Sequence, residues 1–204
     1  MIEIKNISKT FEGQKLYEDF SLQIEDGEFV IITGMSGCGK STLLNMIGAI
    51  ESVDSGKILI DGKNVMERKN RLEYFRRGVG FLFQNYALVD NKTVKENLKI
   101  VKGKSKNNVS IEEALKRVGL EEKENTKVYK LSGGEQQRVA IARLIIKECS
   151  VILADEPTGS LDWKNGEIVI GLLKQLQAEG KTIIMVTHDL RLTQHGSRVV
   201  ELDA

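Results

Sequence analysis

Proline is nearly missing from this chain, with one among 204 residues, and aromatic side chains make up only 5%. That composition, with 19 glycines in no repeating period, excludes a collagen-like chain. The shortage of rings leaves little surface on which exposed bases could stack. An excess of charge of one sign is also missing: 30 Lys and Arg against 29 Asp and Glu leave +1. The chain therefore lacks the overall basic field of a nucleic-acid binder, and no nucleic-acid partner is expected. No apolar run approaches the ~20 residues that cross a bilayer. The start MIEIKNISK has neither the charged nor the apolar block of a signal peptide. Cys38 and Cys149 form no CxxC pair and no disulfide framework, which fits a reducing compartment and leads us to expect a cytoplasmic chain.

What is present suffices for a core. With 41% hydrophobic and 29% charged residues, the chain can bury an interior and stay soluble, and its length bounds it to one domain or a domain with an insertion. Short strands are expected over residues 1–8 and 20–24, a more buried one over 28–33, and a helix from Lys40, where apolar positions recur at helical spacing. GKILIDGKNV reads as a strand and an Asp-Gly turn, and residues 64–77, rich in Arg and Lys, as a solvated helix face. A strand over 79–83 precedes a polar, largely helical stretch, with helices over 111–118 and from Ser132. Then 151–155 and 182–187 read as buried strands around a helix over 167–178. Strands interleaved with helices predict a mostly parallel sheet covered on both faces, with 86–147 as an inserted helical lobe.

Three motifs carry chemistry. GMSGCGKST, residues 34–42, matches G-x-x-x-x-G-K-[ST] between an expected strand and helix. Gly34, Gly37 and Gly39 let backbone N–H groups close around phosphate oxygens at a helix N-terminus. Lys40 reaches the β and γ phosphates and Ser41 binds Mg²⁺ in such a loop; otherwise it is a glycine-rich turn with a solvated lysine. Cys38 sits inside it, where its thiol is either activated by the helix terminus or an inert filler. VILADE ends a buried strand with Asp155 and Glu156, carboxylates that are costly there unless a cation compensates them or they cap the next turn. In LSGGEQQR, Ser132 can cap a helix whose first N–H groups Gly133 and Gly134 leave uncovered; the ligand stays open, and an ordinary helix start also fits.

GMSGCGKST, Gln84 in FLFQN, LSGGEQQR, LADEPTGSLD and His188 in VTHD stand in the order of the motifs of ABC transporter ATPase subunits. The chain resembles that family over essentially its whole length, and most of all the branch serving lipoprotein release, macrolide export, cell division and bacteriocin export or immunity. The resemblance implies a P-loop NTPase core of α/β class, with a mostly parallel sheet, an N-terminal antiparallel β part and an inserted α-helical subdomain. Residues 1–85 and 148–204 would form the core, and 86–147 the helical part. The substrate would be ATP and the metal Mg²⁺, held by Ser41, Gln84 and Asp155. Glu156 would be the catalytic base, His188 the γ-phosphate contact and Gln84 the sensor of metal and water.

Ser36, Cys38, Lys40, Ser41 and Thr42 would line the phosphates, and Phe11 would stack on adenine where the family commonly has Tyr. Ser132, Gly133, Gly134 and Glu135 would face ATP held by a second copy, with residues 160–162, ending in Asp162, joining the two sites. Ser160 departs from the branch's usual Asn, and residues 147–150 lack its usual proline. Residues Tyr86, Leu88 and Val89 would either receive a helix of a separate membrane permease or belong to the core. The chain's end soon after Leu202 adds the expectation that the membrane subunits are separate, with the ATPase held to the inner face of the membrane through them. Two other readings stand beside this one: a soluble ABC ATPase working on DNA or ribosomes, and a small-molecule kinase on a P-loop scaffold.

Overall fold

The structure, a computed structural model, describes residues 1–11 and 13–202. Its centre is a five-stranded parallel sheet in the order β6-β7-β8-β3-β9, formed by β3 (Phe29–Gly34), β6 (Val79–Leu82), β7 (Val151–Asp155), β8 (Thr182–Val186) and β9 (Arg198–Leu202). The three inner strands are apolar along their middles, with polar residues only near their ends at Thr33, Asp155 and Thr182, because both faces are covered. Alternate residues serve different cores: Phe29, Ile31, Ile152, Ala154, Ile183 and Met185 face the helical layer, while Val30, Ile32, Val151, Leu153, Ile184 and Val186 face the opposite side. The helical layer is built from α3 (Val94–Leu98), α4 (Ile111–Arg117), α5 (Gly133–Ile146) and α6 (Trp163–Ala178).

The other side is covered by α1 (Lys40–Ile47) and by a four-stranded antiparallel sheet. That sheet has the order β2-β1-β4-β5, from β1 (Ile2–Phe11), β2 (Gln14–Ile24), β4 (Ser55–Ile60) and β5 (Lys63–Asn64). The antiparallel part therefore exists as expected, but β2 is twice as long as the expected strand. Its early half was hidden because Asp19 adopts φ 49° and the β1–β2 register shifts there, which breaks the alternation. The basic stretch forms α2 (Arg68–Glu73), with no buried residue, followed by a π-helical turn over Tyr74–Gly78 that buries Tyr74. The stretch 86–147 is less regular than expected, with short helices and 3-10 turns ahead of α5. α6 starts at Trp163 instead of 167, because Asp162 caps it and accepts from the Asn165 amide at 2.9 Å. β9, not expected at all, is an edge strand with exposed and half-buried residues alternating.

Candidate active site

The C-terminal edge of the parallel sheet is where an open α/β sheet binds ligands, and the motif residues meet there. β3 ends at Gly34, whose φ of 146° and surroundings exclude a side chain: a Cβ would lie 2.6 Å from the Leu202 carbonyl oxygen and 2.8 Å from Cys38 Sγ. The loop then turns back under itself. Lys40, only 8% exposed, donates from Nζ to the carbonyl oxygens of Gly34 at 2.8 Å and Met35 at 2.6 Å. Gly39 stands ahead of α1 in left-handed conformation, and no side chain caps the first turn, which also carries no acid. The leading amides of α1 are thus free for an anion. Cys38 is half-buried, with Sγ 3.8 Å from Lys40 Nζ.

A cavity of about 720 Å³ opens over this loop. It is lined by Ser36, Gly37, Gly39, Lys40, Ser41 and Thr42 of the loop and helix start, by Phe11, Gln14 and Leu16 of the antiparallel sheet, and by Glu156 and His188. Phe11 is 54% exposed, so its ring is open to a flat partner. Tyr17, which the sequence did not single out, supports the loop from the antiparallel sheet. Its hydroxyl donates to the Gly39 carbonyl at 3.1 Å, and burial pushes its phenol well above the ordinary range. The register of a bulged strand gives no local signal for that contact.

Asp155 and Glu156 diverge, as neighbours at a strand end should. Asp155 follows Val151 and Leu153 onto the α1 side and accepts from Ser41 Oγ at 2.9 Å. Burial is the main cause that raises its carboxyl pKa; the Ser41 hydrogen bond and the Lys40 charge oppose it, and the Glu156 charge adds to it. Gln84 shares a smaller pocket of about 480 Å³ with Asp155 and Ser160. A half-buried carboxylate, a hydroxyl and an amide are hard oxygen donors of the kind Mg²⁺ takes together with phosphate oxygens, so this set fits that ion. Glu156 has φ 46°. Its Oε1 accepts from the His188 amide at 3.0 Å and lies 2.8 Å from His188 Nδ1, and Oε2 accepts from Thr187 Oγ1 at 3.3 Å.

The LSGGEQQR residues stand apart from this cavity. Ser132 caps α5, and Glu135 closes a capping box: Ser132 N–H donates to Glu135 Oε2 at 2.8 Å and Glu135 N–H to Ser132 Oγ at 3.3 Å. Those bonds hold the Glu135 carboxyl below its ordinary range. None of 132–135 lines the cavity over their own chain's phosphate loop. Asp162 is also outside it: as the cap of α6 it accepts from Asn165. Asn165 in turn packs on Gly134, where a Cβ would lie 2.4 Å from its Oδ1, and accepts from Arg138 at 3.2 Å. Gln137, fully buried, donates to the Pro157 carbonyl at 2.6 Å.

Comparison with known proteins decides what this arrangement is. A family model described as ABC transporter matches residues 17–159. The chain belongs to the ABC transporter family, as an ATP-binding cassette. It is 45% identical to the macrolide export ATP-binding/permease protein MacB of Mannheimia succiniciproducens over 99% of this chain and 33% of that protein. The cassette thus spans about a third of the length of such relatives. It is 42% identical to the ABC transporter ATP-binding protein YxdL of Bacillus subtilis, covering 98% of the cassette and 82% of YxdL. A solved structure of the cassette MJ0796 of Methanocaldococcus jannaschii, a dimeric post-hydrolysis state bound to ADP and Pi, superposes with a TM-score of 0.85. Identity there is 38%, over 99% of this cassette and 94% of the other. The cassette is an ATPase of the ABC fold: an antiparallel sheet, a parallel main sheet and a helical insert.

Proposed function

We propose that the cassette binds ATP in the cavity over residues 34–42, hydrolyses it when a second copy closes on it, and drives separate membrane permease subunits, in export or in mechanical work outside the membrane. The observation that carries this is the disposition of charge about the loop: Lys40 folded beneath it, Ser41 bonded to Asp155 on one side, and Glu156 with His188 lining the same cavity. In this reading Phe11 stacks on the base, while the free amides of α1 and Lys40 hold the phosphates. Ser41, Asp155 and Gln84 would hold Mg²⁺, which neutralises charge between the phosphates. Glu156 takes the proton of the attacking water, and His188, already 2.8 Å from it, steadies the γ-phosphate. Ser132 and the glycines after it complete the site of the opposite copy.

Among the described residues no helix is long and apolar enough to cross a membrane. We place the cassette on the inner face through that permease, with 86–147 as the helical subdomain. The expected docking residues Tyr86 and Leu88 are engaged within the fold: Tyr86's hydroxyl lies 2.8 Å from where a Gly133 Cβ would be, and Leu88 packs on the core, while Val89 is exposed. A groove floored by Phe75, Phe81 and Phe83 is the better receptor for a permease helix. The assignment of the base is tested by Glu156→Gln, which keeps the hydrogen-bonding shape but cannot take a proton. ATP turnover should fall ~10² to 10⁴-fold while ATP binding persists. Wild-type turnover would remove Glu156 from that role.

A further inference from the structure

At the opposite ends of β6 and β7 from Gln84 and Asp155, a second cavity of about 580 Å³ opens beside α2 and the π-helical turn. Tyr74 lines it and is only 6% exposed, yet its hydroxyl has no hydrogen-bond partner among the described residues. Gly78 makes room for the ring, since a Cβ there would lie 2.3 Å from Tyr74 Cδ2. Burial, followed by the Cys149 and Asp61 charges, pushes the phenol far above its ordinary range, so the group stays a neutral donor. A buried phenol without an acceptor works against folding until something bound supplies one. The turn that presents it is of a rare kind that recurs at functional sites.

The lining shows which acceptor fits. Ile60, Val65 and Leu72 are apolar, and Leu72 is 49% exposed on a helix that buries none of its residues. Lys63, Lys69, Arg76 and Arg77 add positive charge. Arg77 pairs with Glu148 at 3.4 Å, whereas Lys63, Lys69 and Arg76 meet no carboxylate among the described residues. Two carboxylates, Asp61 and Glu73, share the cavity, and Asp61 is taken up by the amino group of Met1 at 2.8 Å. An anion with an apolar body answers the free cations, the phenol and Leu72 together. A phosphate offers oxygens to several such donors at once.

We propose that this cavity binds a phosphate ester with an apolar body, whose oxygens accept from Tyr74 and meet Lys63, Lys69 and Arg76 while the body covers Ile60, Val65 and Leu72. An acidic phospholipid and a soluble organic phosphate share that chemistry. The cavity has no lining residue in common with the one over the phosphate loop, and it is formed by one chain alone. The proposal therefore stands apart from the transport reading above.

The test is isothermal titration calorimetry of the whole cassette with two probes: dihexanoyl phosphatidylglycerol below its micelle concentration, and 1-naphthyl phosphate. At least one should bind, with inorganic phosphate about 10-fold weaker because it leaves the apolar lining uncovered. Dihexanoyl phosphatidylcholine, with the same tails and no net charge, should bind about 10-fold more weakly than the glycerol lipid. Tyr74→Phe should weaken binding of the better probe about 10-fold. Lys69→Met and Arg76→Met should each weaken it several-fold, by less as salt is added. Lys40→Ala, at the phosphate loop, should bind that probe as wild type does. Without ligand, Tyr74→Phe should melt no lower than wild type in circular dichroism, since it loses a hydroxyl that has no partner. Sedimentation with phosphatidylglycerol vesicles separates the sources: vesicle binding that Tyr74→Phe weakens assigns a lipid surface, and 1-naphthyl phosphate binding without vesicle binding assigns a soluble ester. The proposal is overturned if neither probe binds, if Tyr74→Phe leaves binding unchanged, or if inorganic phosphate or phosphatidylcholine binds as tightly. Loss of binding in Lys40→Ala, or a lowered melting temperature of ligand-free Tyr74→Phe, overturns it as well.

Discussion

Asp155 shows at the scale of one residue how a site stores the cost of its function. Its carboxylate is half-buried at a strand end, with a serine hydroxyl as its direct partner. Burial outweighs that bond and the nearby Lys40 charge, so its pKa rises above 3.8. A carboxyl whose pKa is raised on folding adds stability below its unfolded value, and that stability is lost as pH rises through the folded value. At pH 7 the ionised form therefore works against the fold. Asp155→Asn should raise the melting temperature at pH 7, keep Ser41 satisfied, and lose that advantage as the pH falls toward 3.8. Parallel pH profiles of melting temperature for the two proteins would contradict this. The motif made Asp155 a candidate, but its balance of burial against bonding needed the neighbours. Tyr17 had no motif at all: its tie to Gly39 joins positions 22 apart in sequence.

Among the elements, those buried on both faces were the legible ones. β3, β7 and β8 announce themselves by runs of four apolar residues, and the loop before α1 by its glycines and lysine. β9 escaped because one side of it is solvated, and the first turn of α6 because Trp163, Lys164, Asn165 and Gly166 show no apolar period. Yet that turn joins two helices. Asn165 binds the α6 cap Asp162, accepts from Arg138 of α5, and fills the space over Gly134. Gly134→Ala would place a methyl 2.4 Å from Asn165 Oδ1 and 3.0 Å from its Cβ, so the Asn165 side chain must leave its bonds to Asp162 and Arg138 or the helices must part slightly. We expect a loss of ~1–3 kcal/mol in urea unfolding, the usual range for overpacking. Asn165→Ala in that background should recover part of it, since residues in contact are not additive. Full additivity would mean that α5 and α6 do not meet through this pair.

For the whole molecule, the two halves of the proposed ATP site lie on different parts of the fold. Phosphate loop, Asp155, Glu156 and His188 share one edge of the parallel sheet, while the capped start of α5 at Ser132 lines no part of the cavity over its own loop. Order along the chain suggested every one of these residues, but no single chain's sequence shows that the Ser132 end is spare for another copy's ATP. That sharing is the central claim, and mixing two defective cassettes tests it most directly. Lys40→Ala spoils the phosphate loop and Ser132→Arg the partner-facing helix start, so neither alone can build a complete site. In a mixed dimer both lesions fall on one ATP, and the other site is intact. Analytical ultracentrifugation of the mixture with Mg-ATP, one variant carrying a fluorescent label, should show heterodimers where each variant alone stays monomeric. Heterodimers that form no better than either homodimer would contradict the shared site and leave a cassette that completes its ATP site alone.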